Sequence, residues 1–248
     1  MNTDGATGLV VLIAVLGFAL ATMLVYALSA ARAAPDPHEV ADRGSFVLGG
    51  FARSWFYWFI GPLVRMSLAL KISPTFFNLL GAALGIGAGV AFATGHLTLG
   101  GWGVLLGGAA DVFDGRIARA RGMASDRGAF LDATLDRFAE VGAFVGLAVL
   151  FRESAPALAL VVTALGGSLL VSYARARGES LGVSCKLGIM QRAERLLLVG
   201  LGGLLDPALT SWVAWEAGSL LLGVLGLVAV ATVGTAIFRT VWIARRLP

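Results

Sequence analysis

Asp111-Val112-Phe113-Asp114-Gly115-Arg116-Ile117-Ala118-Arg119, followed by Gly128, Asp132 and Asp136, is the stretch on which the fold turns. Asp111 and Asp114 are three residues apart and Asp132 and Asp136 are four apart, so on helices each pair shares a face. Residues 120–127, with Gly122 among them, allow a tight turn between two antiparallel helices. The two carboxylate pairs then face each other. On both sides the chain loses its charge: Leu97–Ala110 before the motif and Val141–Phe151 after it hold no Asp, Glu, Lys or Arg. Acids placed at the ends of apolar helices are expensive in a membrane and are usually there for a function.

Further out the same character continues. Gly8–Ala31 is uncharged over 24 positions, more than the roughly 20 a membrane helix needs. Other uncharged runs lie at Thr75–Gly95, Ala155–Val171, Leu196–Leu205 and Ala217–Phe238. Only 14% of the 248 residues are charged and 58% are hydrophobic, against about 25% charged in a soluble domain. The pattern predicts seven spans. The 34 glycines suit close helix approach in lipid. The first run is not read as a signal peptide, despite Ala27-Leu28-Ser29-Ala30, because Asp4 and no basic residue precede it and its apolar stretch is long.

Placing residues 1–7 outside puts residues 32–73, 112–128, 172–195 and 239–248 inside, and with Arg137 these hold 18 of the 19 Lys and Arg residues. Only Arg152 falls outside. This asymmetry follows the positive-inside rule, so the net charge of +4 reflects topology and anionic-lipid contact and not nucleic-acid binding. The expected location is the cytoplasmic membrane, with the aspartates facing the cytosol. Cys185 is the only cysteine, which excludes an intrachain disulfide and a cysteine-based zinc site. It should lie in a cytosolic loop and, where that loop is not occluded, react with thiol reagents from the cytosolic side only. His38 and His96 have no metal-site spacing and read as lone surface histidines.

The expected organisation is an extra N-terminal transmembrane helix (1–33), a linker (34–50), an interfacial amphipathic helix (51–73) and a catalytic membrane domain (74–248). The third segment is rich in Trp, Tyr and Phe, is interrupted by Pro62, and carries Arg53, Arg65 and Lys71. Those features suit a helix lying at the headgroup level. Reading it as a span would invert every later loop against the charge rule.

Four facing carboxylates repel unless cations neutralise them, and all-oxygen ligands suit Mg²⁺ or Mn²⁺. One or two such ions would polarise phosphate oxygens. Gly115 and Ala118 lie on the side of Asp111 and Asp114 and leave room for a nucleotide. Arg119 supplies a planar cation for a phosphate. A network of salt bridges to Arg116, Arg119, Arg127 and Arg137 that only holds helices together is the alternative. An aspartate quartet with two small residues on one face is a poor choice for that purpose.

The spacing Asp111-x2-Asp114-Gly115-x2-Ala118-Arg119-x8-Gly128-x3-Asp132-x3-Asp136 resembles the signature of the CDP-alcohol phosphotransferases, and the resemblance covers residues 50–246. It implies an all-α integral membrane fold, a six-helix bundle, here with the interfacial helix and one extra N-terminal helix. It implies a homodimer, two Mg²⁺ or Mn²⁺ ions, and transfer of a phosphatidyl group from CDP-diacylglycerol to an alcohol with release of CMP. It also implies Asp111, Asp114 and Asp132 as metal ligands, with Asp136 near the metals and acting as general base. Gly115, Ala118 and Arg119 would line the CDP site. Thr75 and Asn78, in Ser73-Pro74-Thr75-Phe76-Phe77-Asn78, stand where the family has Asn/Asp and Thr.

A second region informs the acceptor. Ser172 and Arg175 share a helix face, as do Arg192 and Arg195, and Arg239 reaches the same level. Arginines converging on a metal site suit a phosphorylated acceptor. With no carboxylate assigned to them, the arginines would need an anion from the substrate. The elements Ser172-Tyr173-Ala174-Arg175-Ala176-Arg177-Gly178-Glu179 and Arg192-Ala193-Glu194-Arg195 resemble the inositol-phosphate branch of the family, the phosphatidylinositol-phosphate and archaetidylinositol-phosphate synthases. That resemblance implies that Ser172, Arg175, Arg195 and Arg239 hold inositol 1-phosphate. Glycerol 3-phosphate is the rival acceptor. A transporter is the remote alternative, opposed by acids gathered at one membrane face and by the lack of an inverted repeat.

Overall fold

The computed structural model describes residues 3–29 and 49–248. Eight helices make up these residues: α1 (Thr3–Leu28), α2 (Gly49–Ala69), α3 (Pro74–Ala93), α4 (Leu97–Ala120), α5 (Asp126–Leu150), α6 (Ala155–Ser180), α7 (Arg192–Val213) and α8 (Ser219–Ala244). The expected linker 34–50 lies outside the described residues except for Gly49 and Gly50, which open α2. His38 and Arg43 lie outside them too.

Local chemistry sets the helix ends. Ser73, Ser125 and Ser154 cap α3, α5 and α6, each side chain accepting from the backbone N–H three residues on. Proline in the first turn of α3 and of α6 gives up no hydrogen bond there. Between α4 and α5, Gly122 takes φ +63°, a left-handed conformation that an L side chain resists, and the chain reverses as the sequence predicts.

α3 to α8 close into a ring. α3 packs on α4, α4 on α7, α7 on α8, α8 on α6, α6 on α5, and α5 back on α3. Side chains including Phe92, Leu97, Phe144, Leu147, Val161, Leu221, Leu225 and Val228 fill the end of the ring away from the aspartates. At that end Asp206 of α7 is fully buried. It accepts from the backbone N–H of Gly218 at 2.7 Å and of Leu221 at 2.9 Å, which binds it to the start of α8.

The α3–α5 crossing is a backbone-to-backbone contact. A Cβ on Gly146 would fall on the carbonyl of Gly89, and one on Gly85 would lie 2.6 Å from the Ala139 Cβ. This is the close approach that small residues permit in lipid. Gly146→Val should lower the thermal unfolding midpoint in detergent, since overpacking costs roughly 1–3 kcal/mol. Gly87→Ala, which meets open space, should leave the midpoint unchanged. Equal midpoints for the two variants would contradict the close crossing.

Among the described residues, four helices, α3, α6, α7 and α8, are long and apolar enough to cross a membrane. α2 has Pro62 inside it and does not continue to residue 73. It ends at Ala69, and Lys71 turns the chain at φ 54°. Ile60 and Val64 of α2 bury themselves against Ile117 of α4. Arg116 donates to the Tyr57 carbonyl and Arg121 to those of Leu68 and Ile72, so these α4 cations hold α2. α1 packs on α7 and α2. Its seam with α2 is aromatic: Phe18 meets Phe59, Tyr26 meets Phe51 and Trp58, and Trp55 donates to Thr22 at 3.3 Å.

Cys185 does fall in the loop between α6 and α7, but it is buried, at 1% exposure. Labelling is expected only where the loop is not occluded, and burial of the thiol means that this condition is not met.

Candidate active site

The C-terminal half of α4 and the N-terminal half of α5 bring the motif together. Carboxylate oxygens of Asp111, Asp114 and Asp132 all lie within 4.8 Å of one another. Asp114 is 4% exposed, and its Oδ2 is buried without a hydrogen-bond partner. A buried acceptor left so is costly unless something else satisfies it. An all-carboxylate set with such an oxygen fits a hard divalent cation such as Mg²⁺ or Mn²⁺.

Asp136 is not in that three-carboxylate group. Arg192, at the start of α7, links the two: it lies 3.0 Å from Asp111 and 2.5 Å from Asp136. Arg137 is 3.8 Å from Asp136 on the other side. Arg192 therefore sits on the aspartates themselves, one turn before Arg195.

Arg195 is 1% exposed and has a protein carboxylate. Its Nε and Nη2 lie 3.1 and 3.0 Å from Oε1 of Glu140, and Nη1 donates to the Met190 carbonyl. Ser168 donates to the same Glu140 oxygen, and Arg137 lies 3.8 Å from Oε2. Arg137 also donates to Ser172. Arg175 pairs with Glu179 at 2.9 Å near the surface. Arg239 is buried and donates to the carbonyls of Leu187 and Val171. The sequence-based premise that these arginines lack a counter-anion is thus corrected: Glu140 serves Arg195 and Glu179 serves Arg175. Arg239 has backbone carbonyls in place of a carboxylate.

Other expected residues are more dispersed. Gly115 and Ala118 are half-buried on α4, and Arg119 is exposed at its end. Thr75 is exposed and Asn78 half-buried in the first two turns of α3. Sequence reasoning passed over Glu140, Ser168 and the pairing of Arg137. The signal for Glu140 was present: it continues the stripe of Asp132 and Asp136 by one more turn.

A profile of the CDP-alcohol phosphatidyltransferases matches residues 71–225. The archaetidylinositol phosphate synthase of Methanothermobacter thermautotrophicus is 33% identical over 168 residues, covering 68% of this chain and 83% of that protein. The phosphatidylinositol phosphate synthase of Mycobacteroides abscessus is 36% identical over 160 residues, covering 63% and 73%. Among solved structures, Mycobacterium tuberculosis phosphatidylinositol phosphate synthase with CDP-DAG bound superposes with a TM-score of 0.64 at 28% identity, over 73% of this chain and 92% of that one. The same enzyme in complex with manganese and citrate gives 0.64 at 30% identity, covering 73% and 88%. With its apolar helices and its carboxylate cluster, the chain is an integral membrane transferase of the CDP-alcohol phosphatidyltransferase family.

Proposed function

We propose that this chain transfers a phosphatidyl group from CDP-diacylglycerol to a phosphorylated polyol, inositol 1-phosphate first among them, and releases CMP. The observation that carries this reading is the Asp111, Asp114 and Asp132 cluster lying next to the network of Arg137, Arg192 and Arg195. The named relatives act in phosphatidylinositol phosphate and archaetidylinositol phosphate synthesis, which supports the same acceptor class.

Asp111, Asp114 and Asp132 would hold two Mg²⁺ or Mn²⁺ ions with help from Asp136. Bound there, the ions offset the charge that develops on phosphate oxygens during displacement. Gly115, Ala118 and Arg119, with Thr75 and Asn78 from α3, receive the CDP moiety. The acceptor hydroxyl oxygen bonds to the phosphorus attached to the lipid, and the bond from that phosphorus to the CMP oxygen breaks. The hydroxyl proton passes to Asp136, the general base. Ser172, Arg175, Arg192, Arg195 and Arg239 form the acceptor side of the site.

The protein spans the cytoplasmic membrane seven times, counting α1, α4 and α5 with the four more apolar helices, and works as a homodimer. The ring end with the aspartates faces the cytosol, and α2 lies along the inner leaflet. Exposed Trp212 and Trp215 at the α7–α8 turn, the other end of the ring, support this placement, since Trp favours membrane interfaces.

An acceptor screen tests the function. Purified protein with CDP-diacylglycerol and Mn²⁺ should release CMP fastest with inositol 1-phosphate, compared with glycerol 3-phosphate, free inositol and serine. Arg195→Ala should raise the acceptor KM about tenfold or more, because charge-assisted bonds to an anion are worth roughly 1.5–3 kcal/mol. Preference for glycerol 3-phosphate would remove the inositol assignment alone. Preference for serine or free inositol would make these arginines structural anchors.

A further inference from the structure

We propose that Glu140 is a positioning residue that sets the acceptor specificity of this enzyme by holding Arg195 and Arg137 in place for the acceptor's phosphate. The inference rests on the acceptor reading given above. Glu140 is 3% exposed and stands one helical turn beyond Asp136 on α5. Three groups from three helices converge on it: Arg195 of α7, Ser168 of α6, and Arg137 from its own helix. Oε1 accepts from Nε of Arg195 at 3.1 Å and from the Ser168 hydroxyl, with Nη2 of Arg195 3.0 Å away as an ion-pair contact. Oε2 is buried without a hydrogen bond and has the Arg137 guanidinium 3.8 Å away.

The arrangement is more specific than a strut between helices requires. A strut needs one carboxylate and one cation. Here one carboxylate serves two guanidiniums, and each of those reaches a residue on the acceptor side: Arg137 donates to Ser172, and Arg195 shares its helix face with Arg192. Glu140, Arg192 and Arg195 also line a narrow cleft of about 30 Å³, shared with small residues such as Gly81 and Gly107 and with the apolar Phe144, Leu196 and Val199. Burial raises the stakes, because a guanidinium out of water adopts the geometry its carboxylate gives it. Taking the charge from Glu140 leaves the buried Arg195 and the half-buried Arg137 without a shared anion, and they separate or seek water. Their alignment toward a phosphate is then lost, while the aspartate cluster on the preceding turns is untouched.

Glu140→Gln keeps the side-chain volume and an oxygen for Ser168 and Arg195 but removes the charge. In the purified full-length protein, the KM for inositol 1-phosphate should rise about tenfold or more. The KM for CDP-diacylglycerol and kcat should stay within about threefold, and Glu140→Asp should restore part of the acceptor affinity. Ser168→Ala, which removes only one donor to Glu140, should raise the acceptor KM about threefold, and it tests the proposal should Glu140→Gln fail to fold. An unchanged acceptor KM in the folded variants overturns the proposal. So does a uniform fall in kcat with both KM values altered, which marks a structural strut. If the wild type prefers glycerol 3-phosphate, the same KM shift read with that acceptor supports the role of Glu140 although the inositol assignment is lost. If the wild type prefers an uncharged alcohol, the acceptor reading fails and the role of Glu140 fails with it.

Discussion

Asp114→Asn is expected to abolish CMP release, by about a thousandfold or more, and to leave the protein folded. The carboxyl is 4% exposed and shares its surroundings with Asp111 and Asp132, whose oxygens lie within 4.8 Å. Its role in the fold is unfavourable, because like charges this close repel. Its proposed role is to complete a site for cations, which would stabilise displacement at phosphorus by several kcal/mol, and each 1.36 kcal/mol is tenfold in rate. Two measurements separate these roles. Steady-state CMP release against Mn²⁺ concentration should show no saturable recovery in the variant. Thermal unfolding in EDTA should give the variant a midpoint equal to or above the wild type, since a repelling charge is gone. The wild type alone should gain stability on adding Mn²⁺. Full wild-type activity in EDTA would sink the metal assignment altogether.

The second large effect concerns Asp136. Asp136→Asn should lower kcat by roughly a hundredfold or more, the usual worth of a positioned base, with the KM for CDP-diacylglycerol little changed. The geometry separates this residue from the other three. Asp136 is bound to Arg192 and lies 3.8 Å from Arg137, outside the three-carboxylate group. An asparagine keeps an oxygen for both arginines, so the α5–α7 contact should survive. Retention of the Mn²⁺-dependent stabilisation in this variant is the expected companion result. Its complete loss would make Asp136 an indispensable metal ligand and not only a helper to the other three.

The sequence carried the hairpin of α4 and α5 in full, because fixed gaps of three, four and eight residues translate directly into helix faces and a turn. It did not carry the order of the ring. Hydropathy says that a helix is buried in lipid but not which neighbour it touches, and the α3–α5 crossing depends on Gly89 meeting Gly146 across 57 positions of chain. Charge was legible in number but not in pairing. Arg116 and Arg121 turned out to hold the carbonyls of α2, and Arg239 those of Val171 and Leu187. Glu140 lies one turn beyond Asp136, outside the fixed spacing of the motif. The physical stripe does not stop there, since a helix repeats its face every turn.

The burial of Asp206 bears on how the chain is assembled. Its two oxygens accept from Gly218 and Leu221, so the partners of this carboxylate arrive only when α8 has been made. Before that, α7 carries a bare acid at the end of the ring away from the aspartates, and hydrocarbon offers it nothing. The last two helices are therefore a single unit of insertion: a nascent chain that commits α7 to lipid has reason to wait at the mouth of the translocon until the first turn of α8 can close over it.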